Sequence, residues 1–284
     1  MTRGERERAA QPARGEGAAE PGRVAAGSLQ RRRLDAALHR ARVSAYPPGE
    51  YVGQESFMSA GEILALGRRA GIGPGVDLLD LCCGVAGPGR HLTRELGCRY
   101  LGVDCDPSAT ALARERAAGL PCRFVTATVP PLPPGAPDVV LLLETLLAFR
   151  DKQVLVGQVA DALRPGGRFA CTLEEGMPLT DRERAAMPQA DTVWPVPLAE
   201  LESLLRRAGL AVTWWQDHSP AHLAVVDALV AAFTEHRAQI AAELGDSVGD
   251  GVAVLDELLV GHRLWASWLR SGRIRKIALV AVRS

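Results

Sequence analysis

An α/β fold built on a doubly wound, mostly parallel sheet is what the sequence predicts, and three observations predict it. Short apolar runs alternate with helical patterns from about residue 77 to residue 173, the signature of parallel strands joined by crossover helices. Several of those runs are apolar nearly throughout, as strands covered on both faces must be. Finally, "DLLDLCCGVAGPGR" places a glycine-bearing turn straight after the first run, and Asp104 closes the second run twenty residues after Gly84.

The elements follow in chain order. Residues 1–28 are rich in Arg, Glu, Ala and Gly and almost free of large apolar side chains, so a disordered tail is expected. Residues 29–72 read as an N-terminal helical cap. It holds a basic helix over about 29–43, a turn at Pro47 and Pro48, and a second helix ending near Gly71. Strands are predicted over 77–82, 99–104, 122–127, 138–144 and 168–173. A helix over 151–163 places Leu155, Val159 and Leu163 on one side and stops at "RPGG". Another, over 198–208, starts after Pro197, buries Leu198, Leu201, Leu204 and Leu205, and ends at Gly209. A sixth strand, "LAVTWWQ", and a last, "RIRKIALVAV", flank residues 217–272, which read as two long helices forming a lid over one end of the sheet. The first is capped by Ser219 with Pro220 behind it, and carries His222, Val226, Leu229 and Phe233 on one face; the second aligns Leu255, Leu258, His262 and Trp265. The ligand-binding domain is thus expected over 73–216 and 273–284.

Composition narrows the function. The 284 residues are 47% hydrophobic and 23% charged, enough to bury a sizeable core and stay in water. With 33 basic and 33 acidic residues the formal charge is zero, which argues against nucleic acid or an anionic membrane as partner and for a small molecule. No apolar run reaches the roughly 18 residues of a membrane helix, and "MTRGERERAA" has no apolar signal core behind it, so the cytoplasm is the expected location. Six cysteines without a C-x-x-C pair read as reduced core thiols, and no metal site is expected. A homodimer stays open.

Ligands of open parallel sheets sit beyond the carboxyl ends of the strands, where the strand order reverses, so "DLCCGVAGPG" should touch the ligand. Glycine there permits close backbone approach and positive φ. A carboxylate ending the second strand can accept bonds from both hydroxyls of a ribose. A dinucleotide would require G-x-G-x-x-G; Gly84, Gly87 and Gly89 do not supply that spacing, and Cys82 stands where the first glycine belongs.

The segment from Asp80 to Arg90 resembles motif I of the class I S-adenosylmethionine-dependent methyltransferases, D-x-G-x-G-x-G or close to it. It is most similar to the branch with "GCGxGG" turns, which includes tocopherol, sterol, sarcosine and geranyl diphosphate methyltransferases. "LGVDCDPSATALARERA" resembles the family's second strand and helix, "PPLP" its "LP" after the third strand, "PDVVLLLETLLAF" its fourth strand and "LRPGGRF" its run into the fifth. The resemblance spans roughly 46–209 and the final strand. It implies a Rossmann-like sheet of seven strands with the last antiparallel, S-adenosyl-L-methionine as cofactor, and a small-molecule methyl acceptor, apolar or aromatic, as partner. The family's cofactor contacts fall on Asp80 and Gly84 for the methionine end, with Gly87 in the same turn. Asp104, with Cys105 beside it, serves the ribose, and Thr128 with Val129 lies near the adenine. Tyr51 and Gln54 are candidates from the segment that covers the cofactor in related enzymes. Cys82 and Ala86 occupy glycine positions of the family, so φ must stay negative there or strain must be tolerated; Thr128 replaces an Asp.

For the acceptor's proton, Glu144 is the first candidate base, because it emerges from the fourth strand at the ligand edge. His218 and His222 in the lid are the others. They share the H-x-x-x-H spacing of metal ligands, with no third ligand in view. Glu174 and Glu175 read as loop acids, "RSGRIRK" as either a contact for a phosphorylated or acidic substrate or a solvated strand edge, and the five tryptophans as parts of the segments that roof the pocket. Two other readings remain: a binding or cyclising protein on the same fold that transfers no methyl group, and a nicotinamide oxidoreductase.

Overall fold

The computed structural model describes residues 21–188, 190–244 and 251–284. Seven strands form one sheet: β1 (Asp77–Leu81), β2 (Arg99–Asp104), β3 (Cys122–Thr126), β4 (Val139–Leu142), β5 (Arg168–Glu175), β6 (Leu210–Asp217) and β7 (Arg275–Arg283). Their order is β3-β2-β1-β4-β5-β7-β6, with β7 antiparallel to both its neighbours. The helices are α1 (Pro21–Ala45), α2 (Ala60–Arg69), α3 (Gly87–Leu96), α4 (Pro107–Arg116), α5 (Lys152–Ala162), α6 (Asp181–Ala186), α7 (Leu198–Arg207), α8 (Ser219–Glu235), α9 (Arg237–Leu244) and α10 (Gly251–Ser271).

The period of two along each strand divides the core. Leu79, Leu81, Val140, Phe169 and Leu279 face Leu155, Val159, Leu201 and Leu205 of α5 and α7. Leu78, Tyr100, Leu141 and Val280 face Ile63, Leu66 and Leu92 of α2 and α3. Local chemistry sets the helix starts. Ser59 and Glu62 form a reciprocal capping box on α2, Asp106 with Pro107 opens α4, and Asp151 caps α5.

Several boundaries differ from the sequence expectation for identifiable reasons. Helix α1 starts at Pro21, eight residues before position 29; residues 1–20 of the expected tail lie outside the described residues. Strand β4 ends at Leu142 because Glu144 turns to φ 57°, and its N–H leaves the ladder to donate to Thr172 Oγ1 at 2.6 Å. Strand β5 runs on to Glu175 because β7 continues beside it, pairing Glu174 with Lys276 and Glu175 with Arg275. Arg275 and Lys276 of "RIRK" are therefore inside the sheet and not at a solvated edge, and Glu174 is a strand residue 5% exposed and not a loop acid.

Residues 217–272 supply three helices where two were expected, with 245–250 outside the described residues. The N-cap of α8 is His218 rather than Ser219; Ser219 Oγ instead accepts the Lys276 N–H at 2.8 Å. The expected inward face holds, since His222, Val226, Leu229 and Phe233 are all buried. Leu229, Phe233, Ile240, Leu244 and Leu255 close a second core on Ala37, Leu38 and Ala41 of α1, so cap and lid are one packed layer. No helix among the described residues is long and apolar enough to cross a membrane.

Candidate active site

The strand order reverses between β1 and β4, and a cavity of about 500 Å³ opens at the carboxyl ends of the strands there. Its wall follows the strand order: Asp80 and residues 82–88 after β1, residues 104–106 after β2, residues 127–129 after β3, and residues 143–145 with Phe149 after β4. Asp80, Gly84, Gly87, Asp104, Cys105, Thr128, Val129 and Glu144 thus come together as the sequence suggested.

The first turn is built on left-handed backbone. Gly84 has φ 53°, and Cys82 and Ala86 both adopt φ 56°. The turn therefore accepts strain at the two non-glycine positions, of order 1–2 kcal/mol each, and with Glu144 they are the non-glycine residues of positive φ among those described. That strain is compensated: Gly84 N–H donates to Asp104 Oδ2 at 2.8 Å, and Cys83 N–H donates to Val103 O at 3.0 Å, locking the turn to β2. Burial, with Asp104 and Asp80 nearby, pushes the Cys82 thiol up to about 12, so it stays protonated and is no nucleophile at neutral pH.

Asp104 is oriented from both sides, its second oxygen accepting the Asp106 N–H at 2.9 Å. Each carboxylate oxygen keeps one acceptor direction free, two in all, which matches the two hydroxyls of a ribose. Asp80 is 4% exposed and accepts from Tyr100 Oη at 2.6 Å. Burial raises its carboxyl to about 7; the Tyr100 hydrogen bond opposes this and the Asp104 charge adds to it.

The segment over 50–59 covers the cavity, contributing Gly53, Glu55 and Ser56 to its wall. Gly87 permits this: a Cβ there would lie 2.3 Å from Gly53 O. Tyr51 and Gln54 do not reach the cavity. Tyr51 packs against the rings of His39 and Tyr46. Gln54 is 1% exposed and ties its own segment, accepting from Val52 N–H and donating to Glu50 O and Met58 O. The family resemblance offered Gln54 as a ligand contact because related enzymes cover the cofactor with this segment; its partners here are backbone groups of the segment itself.

Behind the first cavity lies a second, of about 580 Å³, walled by Leu34 and Leu38 of α1, Leu147, Val193, and Leu258, His262 and Trp265 of α10. Glu55 and Glu144 line both. Glu144 Oε2 pairs with Lys276 Nζ at 2.8 Å while Oε1 is buried without a hydrogen bond. Burial works against its ionisation, but Lys276 and then His222 outweigh it and hold the carboxyl below its ordinary range. Lys276, 4% exposed, also pairs with Glu174, and these two acids outweigh its own burial and hold the ammonium charged. Sequence reading missed Lys276 and Glu174 because only the β5–β7 register brings them together.

His218 and His222 line neither of these two cavities. Both face Glu62 of α2, His218 Nδ1 at 2.6 Å and His222 Nε2 at 3.6 Å. Burial opposes ionisation of Glu62, yet the two histidines hold its carboxyl well below the usual range. The partner missing from the H-x-x-x-H spacing is thus a carboxylate 156 residues away in sequence. Of the tryptophans, Trp265 alone lines the second cavity among the described residues. Trp194 stacks under Arg150 and Arg184, Trp214 under Arg69, and Trp215 is exposed.

Residues 78–167, which carry β1 to β4 and the sheet side of this cavity, match the family profile described as a methyltransferase domain. That segment is a methyltransferase domain. Its cofactor class is S-adenosylmethionine, and the fit of Asp104, Gly84 and the nucleoside-sized cavity agrees with it. The chain is 28% identical over 105 residues to phosphoethanolamine N-methyltransferase 1 of Arabidopsis thaliana, covering 36% of this chain and 21% of that protein. It is 31% identical over 124 residues to methyltransferase GfsG of Streptomyces halstedii, covering 41% and 45%. In fold, the chain is similar to the cyclopropane synthase MmaA2 of Mycobacterium tuberculosis, with a TM-score of 0.72 at 16% identity over 90% of this chain and 94% of that one. The first relatives are thus matched over about a fifth of their own length.

Proposed function

We propose that this protein transfers a methyl group from S-adenosylmethionine to a small, largely apolar acceptor held in the second cavity. The observation that carries the reading is Glu144, whose carboxylate lines both cavities and keeps one buried oxygen without a partner. When bound, the cofactor supplies a sulfonium methyl whose leaving group departs neutral. The chain has to align the acceptor with that methyl and receive a proton if the acceptor carries one. Leu34, Leu38, Leu147 and Trp265 position an apolar body, and the Glu144 carboxylate, kept ionised by Lys276, accepts a hydrogen bond or proton from the acceptor's nucleophilic atom. Asp104 holds the ribose and Asp80 the methionine end. Six free thiols support a reducing, cytoplasmic setting.

Titration with S-adenosylhomocysteine and product analysis with labelled methyl donor test this reading separately. One site is expected. Asp104→Ala should weaken it about 10- to 100-fold, through loss of charge-assisted hydrogen bonds of about 1.5–3 kcal/mol each. Glu144→Gln should still bind S-adenosylhomocysteine but lower turnover about 10²–10⁴-fold. Binding without any transferred label would favour the non-methylating reading, and binding of a nicotinamide dinucleotide instead would favour the oxidoreductase.

A further inference from the structure

We infer that Glu62, His218 and His222 form a divalent transition-metal site, best suited to Zn²⁺, that clamps α2 to α8. Among the described residues their ligand atoms converge within 4.8 Å of one another. The two imidazoles sit one helical turn apart at the start of α8, on the face turned to α2. Zinc takes imidazole nitrogen at about 2.0–2.1 Å and carboxylate oxygen at about 2.0–2.2 Å, so tetrahedral ligand atoms lie roughly 3.4 Å apart. The present separations are 2.6 Å from His218 to Oε1 and 3.6 Å from His222 to Oε2, with all the ligand atoms within 4.8 Å of one another, so side-chain rotation brings them to that value.

A Glu–His hydrogen bond alone would account for His218. It does not account for His222, which is 1% exposed with neither ring nitrogen hydrogen-bonded, an arrangement costly for a polar ring unless a ligand completes it. The carboxylate also has the supporting hydrogen bond that metal-binding carboxylates characteristically receive, from the Ser59 N–H to Glu62 Oε2 at 2.8 Å.

Charge points the same way. His222 borders the small space that Glu174 and Lys276 also line, and it influences Glu144. Around it stand three carboxylates, Glu62, Glu144 and Glu174, and one ammonium, Lys276. Acidic side chains outnumber basic ones around this ring, which suits a bound cation. Two nitrogens and one oxygen favour zinc over magnesium or calcium, which take oxygen shells. Helix α2 follows directly on the 50–59 segment that covers the first cavity, so the metal would fix that cover to the lid without touching the reacting atoms.

The test uses the full chain, stripped with a chelator, dialysed, and loaded with Zn²⁺ or Co²⁺. Elemental analysis should give one zinc per chain, with Kd raised at least ~100-fold in His222→Gln and in His218→Gln, and zinc should raise the melting temperature of the parent but not of either variant. Failure of the parent to retain stoichiometric zinc, or retention of zinc with unchanged affinity by the variants, overturns the site. If the variants do not fold, the visible spectrum of the cobalt-loaded parent decides. A low-coordinate band without thiolate charge transfer supports the assignment, whereas thiolate bands would place the metal on cysteines and refute it. None of these readouts depends on methyl transfer.

Discussion

Asp80 shows how a single buried carboxyl couples stability to pH. Its folded-state value of about 7 stands against an ordinary value of 3.8, so the folded chain holds this proton more tightly than the unfolded chain does. The associated stabilisation is fully present below pH 4 and is lost as pH rises through 7. Asp80→Asn keeps an oxygen for the Tyr100 hydroxyl and removes the ionisation. It should therefore match the parent near pH 4 and exceed it at pH 8, by up to roughly 4 kcal/mol at about 1.4 kcal/mol per unit. Urea unfolding midpoints across that range measure it, and a widening advantage toward low pH would refute it. Individual residues were legible in the sequence in proportion to how local their partners are. Asp104 could be placed because strand end and turn lie twenty residues apart along one crossover. Cys82 and Ala86 could be flagged, but whether the turn would avoid or accept positive φ depended on bonds from Gly84 and Cys83 to β2.

Among elements, the contact of β7 with β5 and of the 50–59 segment with α3 carry the site. Replacing Lys276 by Met would leave Glu144 and Glu174 buried without their shared cation. The expected loss is about 3–5 kcal/mol, read as a lower urea midpoint, and adding Glu144→Gln with Glu174→Gln should recover most of it, because the cost comes from unpaired charge and not from lost volume. If the triple variant is as unstable as the single one, packing of the lysine stem is responsible. Gly87→Ala tests the other contact. Its Cβ would meet backbone of Gly53 and Gln54, which cannot rotate away as a side chain can. The covering segment must lift, so cofactor affinity should fall at least about 10-fold while the midpoint of unfolding moves by less than it does in Lys276→Met. Element type and order were readable from periodicity, since each parallel strand carries its own apolar run. The β5–β7 register was not, because antiparallel partners separated by about a hundred residues leave no pattern in either strand, and so "RIRK" looked like an edge.

At the scale of the molecule, the sheet domain and the helical layer meet around the two cavities, and their coupling decides how a ligand is felt. Helix α1 packs on α8 and α9 through one apolar core and on α4 through Asp35, which accepts from Arg116 at 2.5 Å and Arg42 at 3.3 Å. The 50–59 segment lies between, with Glu55 and Ser56 against the first cavity and Phe57 against the second. A ligand filling the first cavity therefore touches sheet and cover together, and the cover leads through α2 into the lid. S-Adenosylhomocysteine at a hundred times its Kd should add about 2.7 kcal/mol, a rise in melting temperature of roughly 5–10 °C for a chain of this size. Because cover and lid are linked through Glu62 and the α8 histidines, amide exchange should slow over 50–59 and at the start of α8 as well as in the turn over 82–88. Protection confined to the turn would show that sheet and helical layer respond separately. A rise in melting temperature without protection over 50–59 would mean that the segment is not the cofactor's cover, and that Gly87 serves packing alone.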